Sequence, residues 1–254
     1  MDGFSTFEMQ YYTFVYQKMF KKIEKTENII KKFLNKCKNP YISVSFGKDS
    51  LVCMDIILKI KPDIRVVWVD RGEGGDLPDT YKLIDYYKKE RNMNLIHLKT
   101  PHSLFELFNM YPIDEIASKR LITKQLKETF NKYTKKSNTD GIIWGLRAEE
   151  SKGRRHYAMT YGAIRKDKNE VLWCSPVLYW KSYEIWAYIF TNALKYLNYY
   201  DITSENDFDR QNKRYSNWVG DHGISEGRIW VIKRYYPELF QKLIAKFPIF
   251  KSYA

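Results

Sequence analysis

The chain has 254 residues, 44% of them hydrophobic and 17% aromatic, which excludes a disordered chain and is enough for a sizeable α/β core. Its 43 Lys and Arg against 30 Asp and Glu give a formal charge of +13, which points towards an anionic partner. Its three cysteines, Cys37, Cys53 and Cys174, form no C-x-x-C pair, which excludes a disulfide framework, a zinc knuckle and a four-cysteine iron–sulfur cluster within one chain. Residues 5–36 read as one or two helices, because Phe7, Tyr11 and Phe14, then Tyr12, Val15, Met19 and Ile23, recur at helical steps. Pro40 closes that segment. Tyr41–Ser45 reads as a strand, Phe46–Ser50 as a loop and Leu51–Ile60 as a helix. Ile64–Val69 is a buried parallel strand by its β-branched content, and a Gly- and Asp-rich loop spans Arg71–Asp79. Tyr81–Arg91 reads as a helix, Leu95–Leu98 as a strand, Leu104–Met110 and Lys119–Tyr133 as helices, and Gly141–Gly145 as a fourth strand.

The pattern then changes. Tyr157–Trp173 reads as irregular or hairpin structure, and Ser182 is placed to cap a helix over Tyr183–Leu194. Gly227–Tyr236 and Pro237–Lys246 read as two short helices, the second opened by its proline. The alternating order predicts an α/β fold: a three-layer α/β/α sandwich with a mostly parallel, doubly wound sheet. An N-terminal helical cap is expected over 1–38, the α/β domain that carries the motifs taken up below over 39–200, and a helical C-terminal extension of the same domain over 201–254. No apolar run nears the roughly 20 residues of a membrane span, and Met1–Gln10 lacks a secretory pattern, so a cytoplasmic protein with no membrane partner is expected.

The charge has two readings. Pairs such as Lys21-Lys22, Lys31-Lys32, Lys88-Lys89 and Lys135-Lys136 fit a solvated surface, and they also fit a nucleic-acid footprint. The chemistry is better localised in Ser45-Phe46-Gly47-Lys48-Asp49-Ser50, between a strand and a helix. There, backbone N–H groups, the helix N-terminus, two hydroxyls and Lys48 can gather around a phosphate. The loop is neither a Walker A sequence nor a dinucleotide fingerprint, since the required glycine spacings are absent.

This segment resembles the S-G-G-x-D-S loop of the PP-loop superfamily of adenine-nucleotide α-hydrolases, with Phe46 in place of the first glycine. More narrowly, the chain resembles the phosphoadenosine phosphosulfate (PAPS) reductase family. Val69-Asp70 followed by Leu77-Pro78-Asp79-Thr80-Tyr81 is similar to V-D-T-G…F-P-E-T-Y. Gly145-Leu146-Arg147-Ala148-Glu149-Glu150-Ser151 with Arg154-Arg155 is similar to G-x-R-x-x-E-S-x-x-R. Ser175-Pro176-Val177-Leu178, Trp180 and Glu184-Ile185-Trp186 resemble P-L-x-x-W…D-V-W.

The resemblance implies an adenine nucleotide, ATP or PAPS, bound with Mg²⁺. It implies contacts from Ser45, Phe46, Gly47, Lys48, Asp49, Ser50, Asp70, Gly145, Arg147, Arg154 and Arg155, with Lys48 and Arg147 catalytic and Asp49 on the metal. From chemistry alone, Arg147 can fork onto a phosphate or pair with Glu149 or Glu150, Asp70 can bond a ribose hydroxyl, hold a metal-bound water or cap a helix or turn, and Asp49 can bind Mg²⁺ or cap the following helix. Arg154 and Arg155 can be anion ligands or a solvated basic turn, and the Gly72–Asp76 stretch a flap or a surface turn. The family's E-C-G-x-H cysteine and its cluster cysteines have no counterpart after Cys174, and the G-C-W-x-C-like motif of some relatives reads here as Ser216-Asn217-Trp218-Val219-Gly220. The expected activity is therefore cleavage of ATP between its α and β phosphates to adenylate an acceptor, with no iron–sulfur cluster. The alternatives are a PAPS or adenylyl-sulfate reductase or sulfotransferase-like enzyme using Cys174 or a partner's thiol, and a non-catalytic nucleotide- or nucleic-acid-binding subunit. A ParB-like protein partner is implied by resemblance only.

Overall fold

In the computed structural model, which describes residues 3–214 and 228–253, Ser5 starts the first helix. Its hydroxyl accepts the Glu8 N–H while the Glu8 carboxylate accepts the Ser5 N–H, a reciprocal cap on α1 (Thr6–Gln17). α2 (Phe20–Leu34) follows, then β1 (Pro40–Ser43) and α3 (Lys48–Ile60). The next elements are β2 (Arg65–Asp70), α4 (Pro78–Glu90), β3 (Leu95–Lys99), α5 (Leu104–Met110), α6 (Ile113–Ser118), α7 (Leu121–Lys136) and β4 (Gly141–Trp144). α8 (Lys152–Tyr161), β5 (Ile164–Lys166), β6 (Leu172–Cys174), α9 (Ser182–Thr191) and α10 (Tyr199–Ile202) lead to α11 (Arg228–Tyr235) and α12 (Pro237–Lys246). The Ser216–Gly220 segment compared above with a thiol motif lies outside the described residues.

The strands form one sheet in the order β3-β2-β1-β4-β6-β5, parallel except for β5 on β6. The chain moves outward from β1 through β2 to β3, then returns to the other side of β1 with β4. That reversal makes the β1/β4 boundary a switch point, where a crevice opens beyond the strand ends. The expected α/β architecture is therefore present.

Both faces of the sheet are buried, as alternation along a strand requires. Ile42, Val66 and Ile143 face a core shared with α1, α2, α3 and α9. Tyr41, Val67 and Ile142 face Phe130 and Tyr133 of α7. A separate apolar cluster joins Leu104, Phe105 and Leu107 of α5 to Ile229, Ile232, Phe240 and Leu243 of α11 and α12.

Three elements depart from the sequence reading. α3 begins at Lys48, so Lys48-Asp49-Ser50 form its first turn, with Gly47 as the extended cap residue. α8 occupies part of the stretch read as hairpin, because only Ala158 of it is buried and no apolar stripe marks it. Its ends are nevertheless set by Ser151, whose hydroxyl accepts the Arg154 N–H, and by Gly162 at φ 66°. α9 starts at Ser182 itself, whose hydroxyl donates to the Gln211 carbonyl instead of capping.

Candidate functional site

The turn between β1 and α3 is shaped by Phe46, which holds φ 58°. A non-glycine residue is strained there, by roughly 1–2 kcal/mol. The strain is offset by the ring, which is fully buried and packs 6.4 Å from the Tyr87 ring of α4. Gly47 follows with its carbonyl accepting the Leu51 N–H and the Ser50 hydroxyl. The end of β4 comes against this first turn at Gly145: a Cβ there would sit 2.7 Å from the Ser50 Cα and N. Only glycine permits that approach.

A cavity of about 240 Å³ lies at this junction. It is lined by Ser43, Ser45, Gly47, Lys48, Asp49 and Ser50 from one side and by Trp144, Gly145, Leu146, Glu150 and Arg154 from the other, with Tyr200 and Arg214 closing it. Its volume is below the roughly 300–1,000 Å³ of pockets that enclose drug-sized ligands, so it suits the charged end of a ligand.

Lys48 is buried; its N–H donates to the Tyr200 hydroxyl at 3.1 Å and its Nζ to the Lys213 carbonyl at 3.3 Å. Burial lowers the Lys48 pKa; Asp49 opposes that shift, and the charges of Arg147 and Arg214 add to it. Burial also lowers the Arg154 pKa, and the Arg214 and Arg147 charges push the same way. Four cations therefore crowd one strand-end crevice, and Arg147 and Arg214 disfavour the charged forms of Lys48 and Arg154.

Carboxylates hold this group in place. Asp49 accepts from Arg147 Nε at 2.5 Å and from Lys48 Nζ at 3.2 Å. Arg147 also donates Nη1 to Glu149 at 2.7 Å and to the Trp180 carbonyl at 3.3 Å, and its own N–H goes to Glu150. Glu150 in turn accepts from Arg154, and its carbonyl from Arg214.

The predicted site residues divide accordingly. Ser45, Gly47, Lys48, Asp49, Ser50, Gly145 and Arg154 meet at the cavity. Arg147 stands behind Asp49, buried and ion-paired, as one of its two sequence readings had it. Phe46 supports the loop from inside the core, and Arg155 is exposed on α8 outside the lining.

Asp70 lies elsewhere, at the end of β2, and takes its turn-capping reading. It accepts from the Gly72 N–H at 2.8 Å and the Tyr81 hydroxyl at 2.9 Å, and meets His97 Nε2 at 3.0 Å. The Gly72–Asp76 loop packs on α5: a Cβ at Gly74, where φ is 78°, would meet the Phe105 ring at 2.3 Å. An ion pair between Arg71 and Asp76 and another from Glu73 to Lys246 fasten it.

Sequence reasoning missed Tyr200, Arg214 and Trp144, and had Glu150 only as a motif residue and a partner for Arg147. Tyr200 and Arg214 come from a segment with no motif, so only the fold brings them here.

Asp49 does not fit the role of metal ligand, since both of its oxygens are in ion pairs. Among the described residues no group of three or more His, Cys, Asp or Glu is placed to hold a metal ion. Cys53 and Cys174 are fully buried, and burial pushes both thiols well up. Burial, followed by the nearby Asp140 charge, pushes Cys37 up to about 11. Among the described residues no helix is long and apolar enough to cross a membrane.

Comparison with known proteins adds to this geometry. The model of the phosphoadenosine phosphosulfate reductase domain matches residues 39–210. An uncharacterised protein of Methanocaldococcus jannaschii is 28% identical over 233 residues, covering 88% of this chain and 53% of that protein. An adenosine 5′-phosphosulfate reductase of Geobacillus thermodenitrificans is 29% identical over 154 residues, covering 60% of this chain and 63% of the enzyme. The chain thus spans between about half and two thirds of the length of these curated relatives. The crystal structure of a PAPS reductase from Candida auris, 20% identical, superposes with a TM-score of 0.57 over 72% of this chain and 88% of that one. It shares the fold.

The cofactor expectation is corrected by these findings. The curated enzymes are named for adenosine 5′-phosphosulfate, which gives no support to ATP with Mg²⁺. A U34-tRNA thiolase from Methanococcus maripaludis, described with its 4Fe-4S cluster, also aligns, at a TM-score of 0.49 and 14% identity over 91% of this chain and 79% of that one.

Proposed function

Because this chain belongs to the phosphoadenosine phosphosulfate reductase domain family, we propose that the β1/β4 cavity binds the anionic end of an adenine sulfonucleotide as substrate. The observation that carries this reading is the crowding of Lys48, Arg147, Arg154 and Arg214 at the first turn of α3. An arriving phosphosulfate relieves their mutual repulsion and is met by the helix N-terminus. Relatives named for adenosine 5′-phosphosulfate favour this ligand over ATP.

The reaction in this reading is attack of a thiolate on the sulfur of the sulfonucleotide. The sulfur–oxygen bond to the phosphate breaks, and the nucleoside phosphate leaves with the electron pair. Lys48 and Arg154, which line the cavity, stabilise the charge that gathers on the departing phosphate, and Arg147 holds Asp49 and through it Lys48. The thiol comes from outside the trio of Cys37, Cys53 and Cys174, since Cys53 and Cys174 are buried and all three have a raised pKa, which makes them poor nucleophiles.

Calorimetric titration with adenosine 5′-phosphosulfate, AMP and ATP tests the binding. The sulfonucleotide is expected to bind best of the three, and tighter binding of ATP overturns the reading. In parallel, Cys174→Ser is expected to leave thiol-dependent release of sulfite from the sulfonucleotide unchanged when dithiothreitol supplies the thiol. Loss of release in that variant, with its fold intact by circular dichroism, puts Cys174 into the chemistry.

A further inference from the structure

The +13 charge is unevenly distributed. Residues 152–174, which make α8 and the β5–β6 hairpin, carry six Lys and Arg against two carboxylates. Both carboxylates are engaged locally. Asp167 accepts from the Trp173 indole and from the Asn169 and Val171 N–H groups, and Glu170 pairs with Lys166. Lys152, Arg155 and Lys168 are exposed and in no ion pair among the described residues.

A row of rings joins these same elements to β4. Trp173 lies 4.9 Å from Trp144, Trp144 lies 6.5 Å from Tyr157, and Tyr157 lies 5.3 Å from Tyr161. The Arg165 guanidinium covers the row, 5.4 Å from the Tyr157 ring, 5.8 Å from Tyr161 and 5.5 Å from Trp173. One end of the row, Trp144, lines the cavity, and the other, Tyr161, is 55% exposed. The rings stay half-open because α7 covers the β1 to β3 side of this face and α8 gives it only Ala158 as a buried residue.

We propose that this surface binds a single-stranded nucleic acid, with bases stacked on the Tyr157–Tyr161 end of the row and phosphates on Lys152, Arg155 and Lys168. Rings beside free cations are what an unpaired strand requires, because every base has a face to stack and every linkage a charge to neutralise. An acidic protein would use the cations and leave the rings idle. A duplex keeps its bases stacked inside and gains nothing from them. The contacts named are to bases and phosphates, so RNA and DNA strands are expected to bind alike. The inference rests on this charge and these rings, and stands apart from the sulfonucleotide reading of the cavity.

Fluorescence anisotropy of the full chain with a labelled single strand of about 12 nucleotides, in ribose and deoxyribose forms, is the test. Affinity is expected to fall steeply with salt. The K152S/R155S/K168S variant is expected to flatten the log–log salt slope by about 2, at about 0.7 per lost phosphate contact. Tyr161→Ala is expected to weaken binding about tenfold with the slope unchanged. All four side chains are exposed, and a thermal melt checks that the fold is kept. The proposal is overturned if neither strand binds, if the triple variant binds like the parent, or if heparin or an acidic peptide competes equally well while Tyr161→Ala has no effect. Calorimetry of the same variants with adenosine 5′-phosphosulfate separates the two readings, since each can fail while the other holds.

Discussion

Two strand ends on one edge of the sheet carry similar residues and are built for different ends. Beyond β2, Asp70 is enclosed by three donors, and its loop is fixed to α5 by Phe105 and to α12 by Lys246. Every group there has a partner from its own neighbourhood, so the cluster fastens the C-terminal helices to the sheet. Beyond β1 and β4, cations outnumber what the local carboxylates can neutralise, and the surplus surrounds a cavity. The difference lies in the topology. At the β1/β4 switch point the chain departs in both directions, and no connecting loop has to fill the gap.

The sharpest challenge to this contrast is Phe46→Gly. The substitution removes a left-handed strain of roughly 1–2 kcal/mol. It also deletes a fully buried ring, and loss of such a ring costs about 3–5 kcal/mol. A net destabilisation of about 1–4 kcal/mol is expected in urea unfolding. A neutral or stabilised variant would mean that the ring does not hold the turn, and that the cavity's shape has another source.

Next in size is a matched pair. Lys48→Met removes a cation from the cavity, and sulfonucleotide affinity is expected to fall about 10- to 100-fold, the worth of one charged hydrogen bond. Asp70→Asn is expected to change affinity less than about twofold while lowering stability by about 1–3 kcal/mol, since it disturbs a satisfied buried network. Equal loss of affinity in both variants would erase the distinction between the two strand ends.

What the sequence conveyed follows from the same contrast. The strands were legible because Tyr41–Ser45 and Ile64–Val69 are β-rich runs buried on both faces. The loop residues were legible because Ser45, Gly47 and Lys48 sit where a strand turns into a helix. Strand-end position alone could not separate Asp70 from Asp49, since the partners that close Asp70 are Gly72, Tyr81 and His97, the last of them on another strand. Nor could it find Arg214 and Tyr200, which reach the cavity from far along the chain. α8 was illegible for a simpler reason: a helix that buries one alanine leaves no periodic trace.

The smallest expected effect concerns the proton on Lys48. Burial is the first cause of its lowered pKa, so the unfolded chain holds this proton more tightly than the native one. Between the native value and the ordinary value of 10.5 the unfolded state binds more protons, and the Lys48 contribution to stability rises with pH across that window. Below the native value the buried charge is a constant cost. A bound phosphosulfate reverses the preference by favouring the ammonium, so binding at a pH above the native value takes up a proton and weakens as pH rises. Titration in two buffers of different ionisation heat measures that uptake, and Lys48→Met is expected to abolish it. Uptake that persists in the variant would move the proton to another group of the cavity. Its absence in the parent at every pH up to 10 would mean that Lys48 is already charged in the empty site, and that Asp49 offsets its burial more fully than the crowding of Arg147 and Arg214 allows.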